Sequence, residues 1–333
     1  MHLIRPIHFR YLVFAIALLL PALSLAQLSD MQKKRGAVVA RKNKLVVLLE
    51  KENKFHIARL KGKGQESEIE PYKKRVALYN ASIKEAVNSL WSFSEEVEFV
   101  EPTQYKEYAK ANSRGLVLLT LTNAEYLEGP ATDDIMSEAR YGKNFTTNGG
   151  LIPRLHLYVA GCKEMFLEGV MAEGDCSSGG LGLALLDIQS WLRFWSKGEH
   201  LNLWSNRSRG NGKEIKDYTL VVHKDHLDEE LANADLSAVY PFQIKVVEDE
   251  EFDELILKKV PKHAILFPWR LTVTSSQGSG MDAPTIMFAH SIVALDENKF
   301  LEIALPKVAL MGKSGSYTTV KKKHLKAYGK KGK

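Results

Sequence analysis

Cysteine is scarce in this chain, and common catalytic motifs are lacking. Only two of the 333 residues are cysteines, which excludes a small disulfide-rich scaffold and a zinc site built on four thiolates. The Gly-x-Ser-x-Gly pattern of serine hydrolases does not occur, and Gly180-Leu181-Gly182 lacks the third glycine of a dinucleotide-binding loop. We therefore expect no cofactor, no resident metal and no assignable catalytic residue.

Residues 1–26 have the pattern of a cleavable secretory signal peptide. They open with two arginines and no acidic residue, continue into the apolar run Tyr11–Leu20, and end with small residues before the Ala26–Gln27 bond. The apolar stretch is shorter than the roughly 20 residues of a spanning helix, so cleavage is favoured over an uncleaved anchor. No later stretch is apolar enough to cross a bilayer. We expect a mature chain that starts near Gln27 and is periplasmic or secreted.

Positive charge is concentrated at the end of the sequence. The chain has 46 basic and 40 acidic residues, and seven of the lysines lie within Lys321–Lys333. The sequence predicts a frayed, solvated basic tail, with weak contact to an anionic surface as the alternative. Nucleic acid is not an expected partner of an exported protein. The expected partner is an envelope protein or polymer whose identity the sequence does not give.

The two cysteines, Cys162 and Cys176, both belong to the predicted mature chain. An oxidising compartment favours a disulfide between them, and the short intervening segment contains two glycines that ease closure. The alternative is a pair of free thiols.

Apolar periodicity alternates between strand and helix along the chain. Spacings of three and four residues from Tyr72 to Leu90 predict a helix, and a second apolar helix is predicted over Leu183–Trp195, where Trp191 and Trp195 have core spacing. The predicted strands are Lys44–Leu49, Val97–Val100, Leu116–Leu121, Leu155–Ala160, Tyr218–Val222, Ile244–Val247 and Ala264–Phe267. Helices are also predicted from Pro102, over Leu227–Val239 and over Asp249–Leu257.

The two halves of the chain share one apolar pattern. A shift of 147 residues places Val97 on Ile244, Tyr105 on Phe252 and Leu119 on Leu266. We therefore predict an α/β (or α+β) fold of two similar strand–helix–strand–helix–strand halves, each with a mixed sheet, the second ending in a β-hairpin. The predicted parts are 27–204, a linker at 205–214, 215–320 and the tail at 321–333.

Three stretches carry a resemblance to a known group of proteins. They are Leu78–Phe99, the helix containing Leu186–Leu192, and Tyr218–Val247. In these the chain resembles uncharacterised exported proteins of Bacteroidota-type bacteria. The resemblance implies an exported α/β protein and supplies no catalytic residues, because that family has no assigned activity.

Two segments contain candidate site residues. Cys176 and the loop residues Ser177, Ser178, Gly179 and Gly180 precede a helix, so their amides could hold an anion, although the same residue types cap helices. His223 and His226 are a weak candidate for a metal pair, and a solvated turn is the favoured interpretation.

The sequence therefore favours an exported, non-enzymatic protein of the cell envelope that binds a partner or ligand through its loops. The alternative is an envelope hydrolase built on the loop at 176–180, with His223, His226 or His290 as its base.

Overall fold

Two five-stranded mixed sheets form the framework of the molecule. The computed structural model describes residues 31–111, 115–122, 154–160, 166–169, 171, 176–198, 208, 210–232, 234–273, 285–304 and 318–333. The sequence-based prediction of an α/β fold with two similar halves is confirmed.

The described part of the first half contains five strands and five α-helices. In chain order they are α1 (31–42), β1 (Leu45–Leu48), α2 (Lys54–Gly62), α3 (Ile69–Leu90), β2 (Val97–Val100), α4 (Pro102–Ala111), β3 (Val117–Thr122), β4 (Arg154–Val159), β5 (Phe166–Gly169) and α5 (Ser178–Ser196). The sheet order is β2-β1-β3-β4-β5, with β1 parallel to β2 and β3, and with β4 and β5 antiparallel.

The second half repeats this topology. Its elements are β6 (Thr219–His223), α6 (Glu229–Ala232), β7 (Ile244–Val247), α7 (Asp249–Leu257), β8 (His263–Val273), β9 (Thr285–Ala294), β10 (Lys299–Ala304) and α8 (Lys322–Lys331). The order, read from the corresponding edge, is β7-β6-β8-β9-β10. The predicted hairpin is β9–β10, and β4–β5 is its counterpart in the first half.

The strand register repeats as well as the strand order. Leu45 of β1 lies opposite Val97 and Val117, and Leu220 of β6 lies opposite Ile244 and Ala264. Val97 and Ile244 are 147 residues apart, and so are Val117 and Ala264, which is the shift seen in the sequence. The two sheets are therefore built on the same residue-by-residue plan.

Helices α3, α5 and α7 lie between the sheets. One side of α5 packs on sheet 1 through residues such as Leu185 and Ile188, and its other side packs on sheet 2 through Leu183 and Leu186. The turn of the β9–β10 hairpin also reaches this helix, because Asn298 Nδ2 donates to the Leu186 carbonyl oxygen at 3.0 Å. Helix α5 therefore belongs to the cores of both halves.

The outer faces of the two sheets are covered by one main helix each. Helix α4 packs on sheet 1 through Tyr105, and α8 packs on sheet 2 through Leu325 and Tyr328. Among the described residues, no helix combines the length and apolarity that a bilayer span needs.

Several elements differ from the sequence-based expectation. The helix predicted over Leu227–Val239 is only a four-residue helix and a 3-10 turn, since Asp235 caps a new turn by accepting from Ser237 N at 2.9 Å. Helix α2 lies in a polar segment for which no helix was predicted. The tail predicted to be frayed is the ordered helix α8.

Candidate functional site

Helix α8 is held against sheet 2 by packing and by ion pairs. Its Tyr328 hydroxyl lies 2.9 Å from His290 Nδ1, and Lys331 Nζ lies 2.6 Å from Glu302 Oε2. The segment before the helix joins the rest of the chain, where Val320 N donates to the His226 carbonyl oxygen at 2.7 Å. The end of the sequence is therefore a docked structural element.

The outer face of α8 is a stripe of lysines, which we call the lysine face. Its members are Lys322, Lys323, Lys326 and Lys330, all exposed. At 3.6 residues per turn these four lie within an arc of roughly 100°. None of them forms an ion pair within the described part of the chain, whereas Lys321 and Lys331 at the margins pair with Asp228 and Glu302. The lysine face therefore presents uncompensated positive charge.

A histidine on the buried side of α8, His324, meets a histidine of β9, His290. The rings of His290 and His324 meet edge to face at 4.7 Å, and both side chains are buried. Burial lowers the pKa of His324 to about 4, and the nearby Lys323 and Lys321 lower it further. His324 is therefore neutral at neutral pH.

The predicted histidine pair lies at the carboxyl end of β6. His223 is the last residue of that strand and is buried, and its ring lies 5.2 Å from that of His226. Burial lowers the pKa of His226 to about 4, with a smaller effect from His223. Parallel pairing of β6 and β7 also brings Asp249, at the start of α7, to His223. The sequence did not indicate Asp249 as a neighbour of the two histidines, because Asp249 follows a different strand, β7.

The loop at 176–180 begins helix α5, and its polar groups bond within the protein. Ser177 is the N-cap residue, whose hydroxyl oxygen accepts from Gly180 N at 3.0 Å. Asp253 of α7 accepts from Ser177 Oγ at 2.7 Å and from Gly179 N at 2.9 Å. The anion at this helix start is thus the carboxylate of Asp253. Gly179 is required for this approach, because a Cβ there would lie 2.3 Å from Asp253 Oδ1.

Several predicted residues lie outside the described part of the chain. Cys176 is half-buried against the core of sheet 1, whereas Cys162 is among the residues that are not described, so the disulfide remains a prediction. The Ala26–Gln27 bond also lies outside the described residues.

A buried acid in sheet 1 was not indicated by the sequence. Glu50 follows β1 and is only 2 % exposed, and neither carboxyl oxygen has a hydrogen-bond partner in the part of the chain that the structure describes. Burial raises its pKa to about 9. The Tyr79 hydroxyl is also buried nearby. Burial is the largest cause that raises the pKa of Tyr79, and the neighbouring Glu50 raises it further. A charged residue directly after an apolar strand is usually exposed, so the position of Glu50 in the sequence carried no signal of its burial.

Comparison with known proteins gives no relative. No protein-family model matches the chain, no curated protein is significantly similar to it, and no solved structure matches its fold significantly.

Proposed function

We propose that the protein is an exported, non-enzymatic envelope protein that attaches to anionic phospholipid surfaces through the lysine face. One observation carries this proposal: four lysines that have no carboxylate partner among the described residues share the exposed side of an anchored helix. An anionic membrane attracts such a cluster with about 1 kcal/mol per lysine near the surface. Four lysines supply about 4 kcal/mol on this basis, which supports weak and reversible attachment.

The packing of α8 favours electrostatic attachment over insertion. The apolar side of the helix, including Leu325 and Tyr328, is already buried against sheet 2. Membrane-inserting amphipathic helices need that side for the acyl region. Attachment should therefore be strongest at low ionic strength and should weaken as salt screens the charges.

The loop at 176–180 favours this binding function over a hydrolase. Its two serine hydroxyls donate to Asp253 and Glu85, and the Gly179 and Gly180 amides are already bonded. An oxyanion site needs free backbone donors, and the amides of Gly179 and Gly180 already have acceptors. The loop residues instead hold α5 in place, as the capping interpretation of the sequence suggested.

Vesicle sedimentation tests the proposal. The mature chain should sediment with phosphatidylcholine vesicles that contain phosphatidylglycerol and not with phosphatidylcholine alone, and added salt should release it. Replacing the four lysines of the lysine face by glutamine should abolish sedimentation. The matched control replaces four exposed lysines on and beside α2 by glutamine: Lys51, Lys54, Lys61 and Lys63. Equal loss in both variants, or binding to soluble polyphosphate without vesicle binding, would contradict the proposal.

A further inference from the structure

The carboxyl ends of the parallel strands β6 and β7 lie side by side at one edge of sheet 2. Ligand sites of open α/β sheets lie beyond the carboxyl ends of their strands. His223 ends β6, Asp225 lies in the next turn and Asp249 starts α7. Three ligand-type side chains from two strand ends therefore converge here.

The distances within this group suit a metal ion. One ligand atom from each of His223, Asp225 and Asp249 can be chosen so that all three lie within 4.8 Å of one another. Zinc bonds to nitrogen and oxygen are about 2.0–2.2 Å long. Small movements of these three side chains would bring their ligand atoms to the separations that such bonds require. His223 Nε2 already lies 2.7 Å from Asp249 Oδ1.

The orientation of His223 is fixed by the backbone. Asp225 N donates to His223 Nδ1 at 3.2 Å, so Nε2 carries the proton of the neutral ring and points to Asp249. The ring is also packed edge to face on Phe252 at 5.2 Å. For Nε2 to bind a metal ion, the ring proton must move to Nδ1, and the 3.2 Å contact from Asp225 N must open.

Charge favours a cation at the same place. The side chains of Asp225 and Asp249 are exposed, and neither pairs with a lysine or arginine in the described part of the chain. The nearby Lys224 pairs with Glu248 at 2.8 Å instead. Two carboxylates beside one imidazole thus leave a local negative charge that a divalent ion can compensate.

We propose that His223, Asp225 and Asp249 bind a first-row divalent metal ion of the zinc class, a site distinct from the lysine face. The imidazole selects against calcium and magnesium, which prefer oxygen ligands only, and the absence of thiolates selects against copper(I). His226 lies against His223, and its buried Nδ1 has no hydrogen bond to any described residue, so a second imidazole lies beside the site.

Calorimetric titration of the untagged mature protein with Zn²⁺ tests the site. We expect one equivalent to bind, and Asp225→Asn and Asp249→Asn should each weaken binding at least ~10-fold. Both side chains are exposed, so these variants should fold, and circular dichroism checks that they do. Asp217→Asn is the matched control, because it removes one exposed carboxylate elsewhere.

Replacing Zn²⁺ by Co²⁺ gives a second readout, because a Co²⁺ absorption band that His223→Gln removes would assign the nitrogen ligand. Absence of Zn²⁺ binding in the wild-type protein would overturn the proposal. Wild-type affinity in both asparagine variants would also overturn it, as would Ca²⁺ binding equal to that of Zn²⁺.

Discussion

Replacing Glu50 by glutamine should stabilise the protein at neutral pH and have little effect in acid. The ordinary carboxyl pKa is 4.5, and burial raises that of Glu50 to about 9. The folded state therefore holds the proton more tightly than the unfolded state, and stability falls as pH rises from 4.5 to about 9. At 1.36 kcal/mol per pH unit, the loss at about pH 7 is about 3 kcal/mol. Glutamine has a similar shape and does not ionise, so it avoids this loss.

Urea unfolding at several pH values measures this effect. The difference in unfolding free energy between Glu50→Gln and wild type should be near zero at about pH 4 and should grow to about 3 kcal/mol at about pH 7. The buried amide of glutamine offsets part of the gain, so this value is an upper bound. Glu52→Gln is the control, because Glu52 is exposed only two residues away. A difference that does not vary with pH would refute the reasoning.

Three further predictions concern the helix contacts. Asp253→Ala should lower the unfolding free energy by about 2 kcal/mol in urea titrations, because it removes the acceptor of two hydrogen bonds at the start of α5. An unchanged urea midpoint would contradict the role of this carboxylate. Gly329→Ala should lower the unfolding free energy by about 1–3 kcal/mol and speed amide hydrogen exchange in α8, since the new Cβ would lie 2.5 Å from Pro241 Cδ. Unchanged exchange rates would show that this contact does not hold the helix. His324 has a folded pKa of about 4 against an ordinary 6.5, so stability should fall by about 3 kcal/mol as pH drops through that window, and His324→Gln should flatten the pH profile. An equally steep profile in the variant would assign the loss to other groups.

The regular elements of the sheets were predictable because burial on both faces leaves a continuous apolar run. β1, β3 and β6 have this property, and α3 has an unbroken helical stripe that ends at Leu90 as predicted. The repeat was visible because matching strands keep matching apolar positions.

Helix α8 escaped prediction because its buried side includes His324 and Gly329 among many lysines, so no apolar run marks it. Its spacing is nevertheless helical, since positions 324, 325, 328, 329 and 332 are all buried. The buried carboxyl of Glu50 gave no sequence signal, since a charged residue after a strand is usually exposed.

The metal candidate was only partly predictable. His223 and His226 are close in sequence, but Asp249 reaches them through the pairing of His223 with Val247 across two parallel strands. Sequence spacing does not reveal such a contact without the register. The 147-residue shift aligned β2 with β7, but it did not show which side chains converge at the strand ends.

The position of α5 between the sheets has a consequence for symmetry. The face of sheet 1 that contacts α5 corresponds to the outer face of sheet 2, where α8 lies, so the two copies are stacked head to tail and are not related by a two-fold axis. Equivalent residues therefore lie in different surroundings: the Tyr108 hydroxyl bonds Glu98 near solvent at 2.7 Å, whereas its counterpart Leu255 is buried between the halves. A head-to-tail stack does not close on itself, so α4 and α8 act as its end caps, and their polar outer faces end the stack at two units.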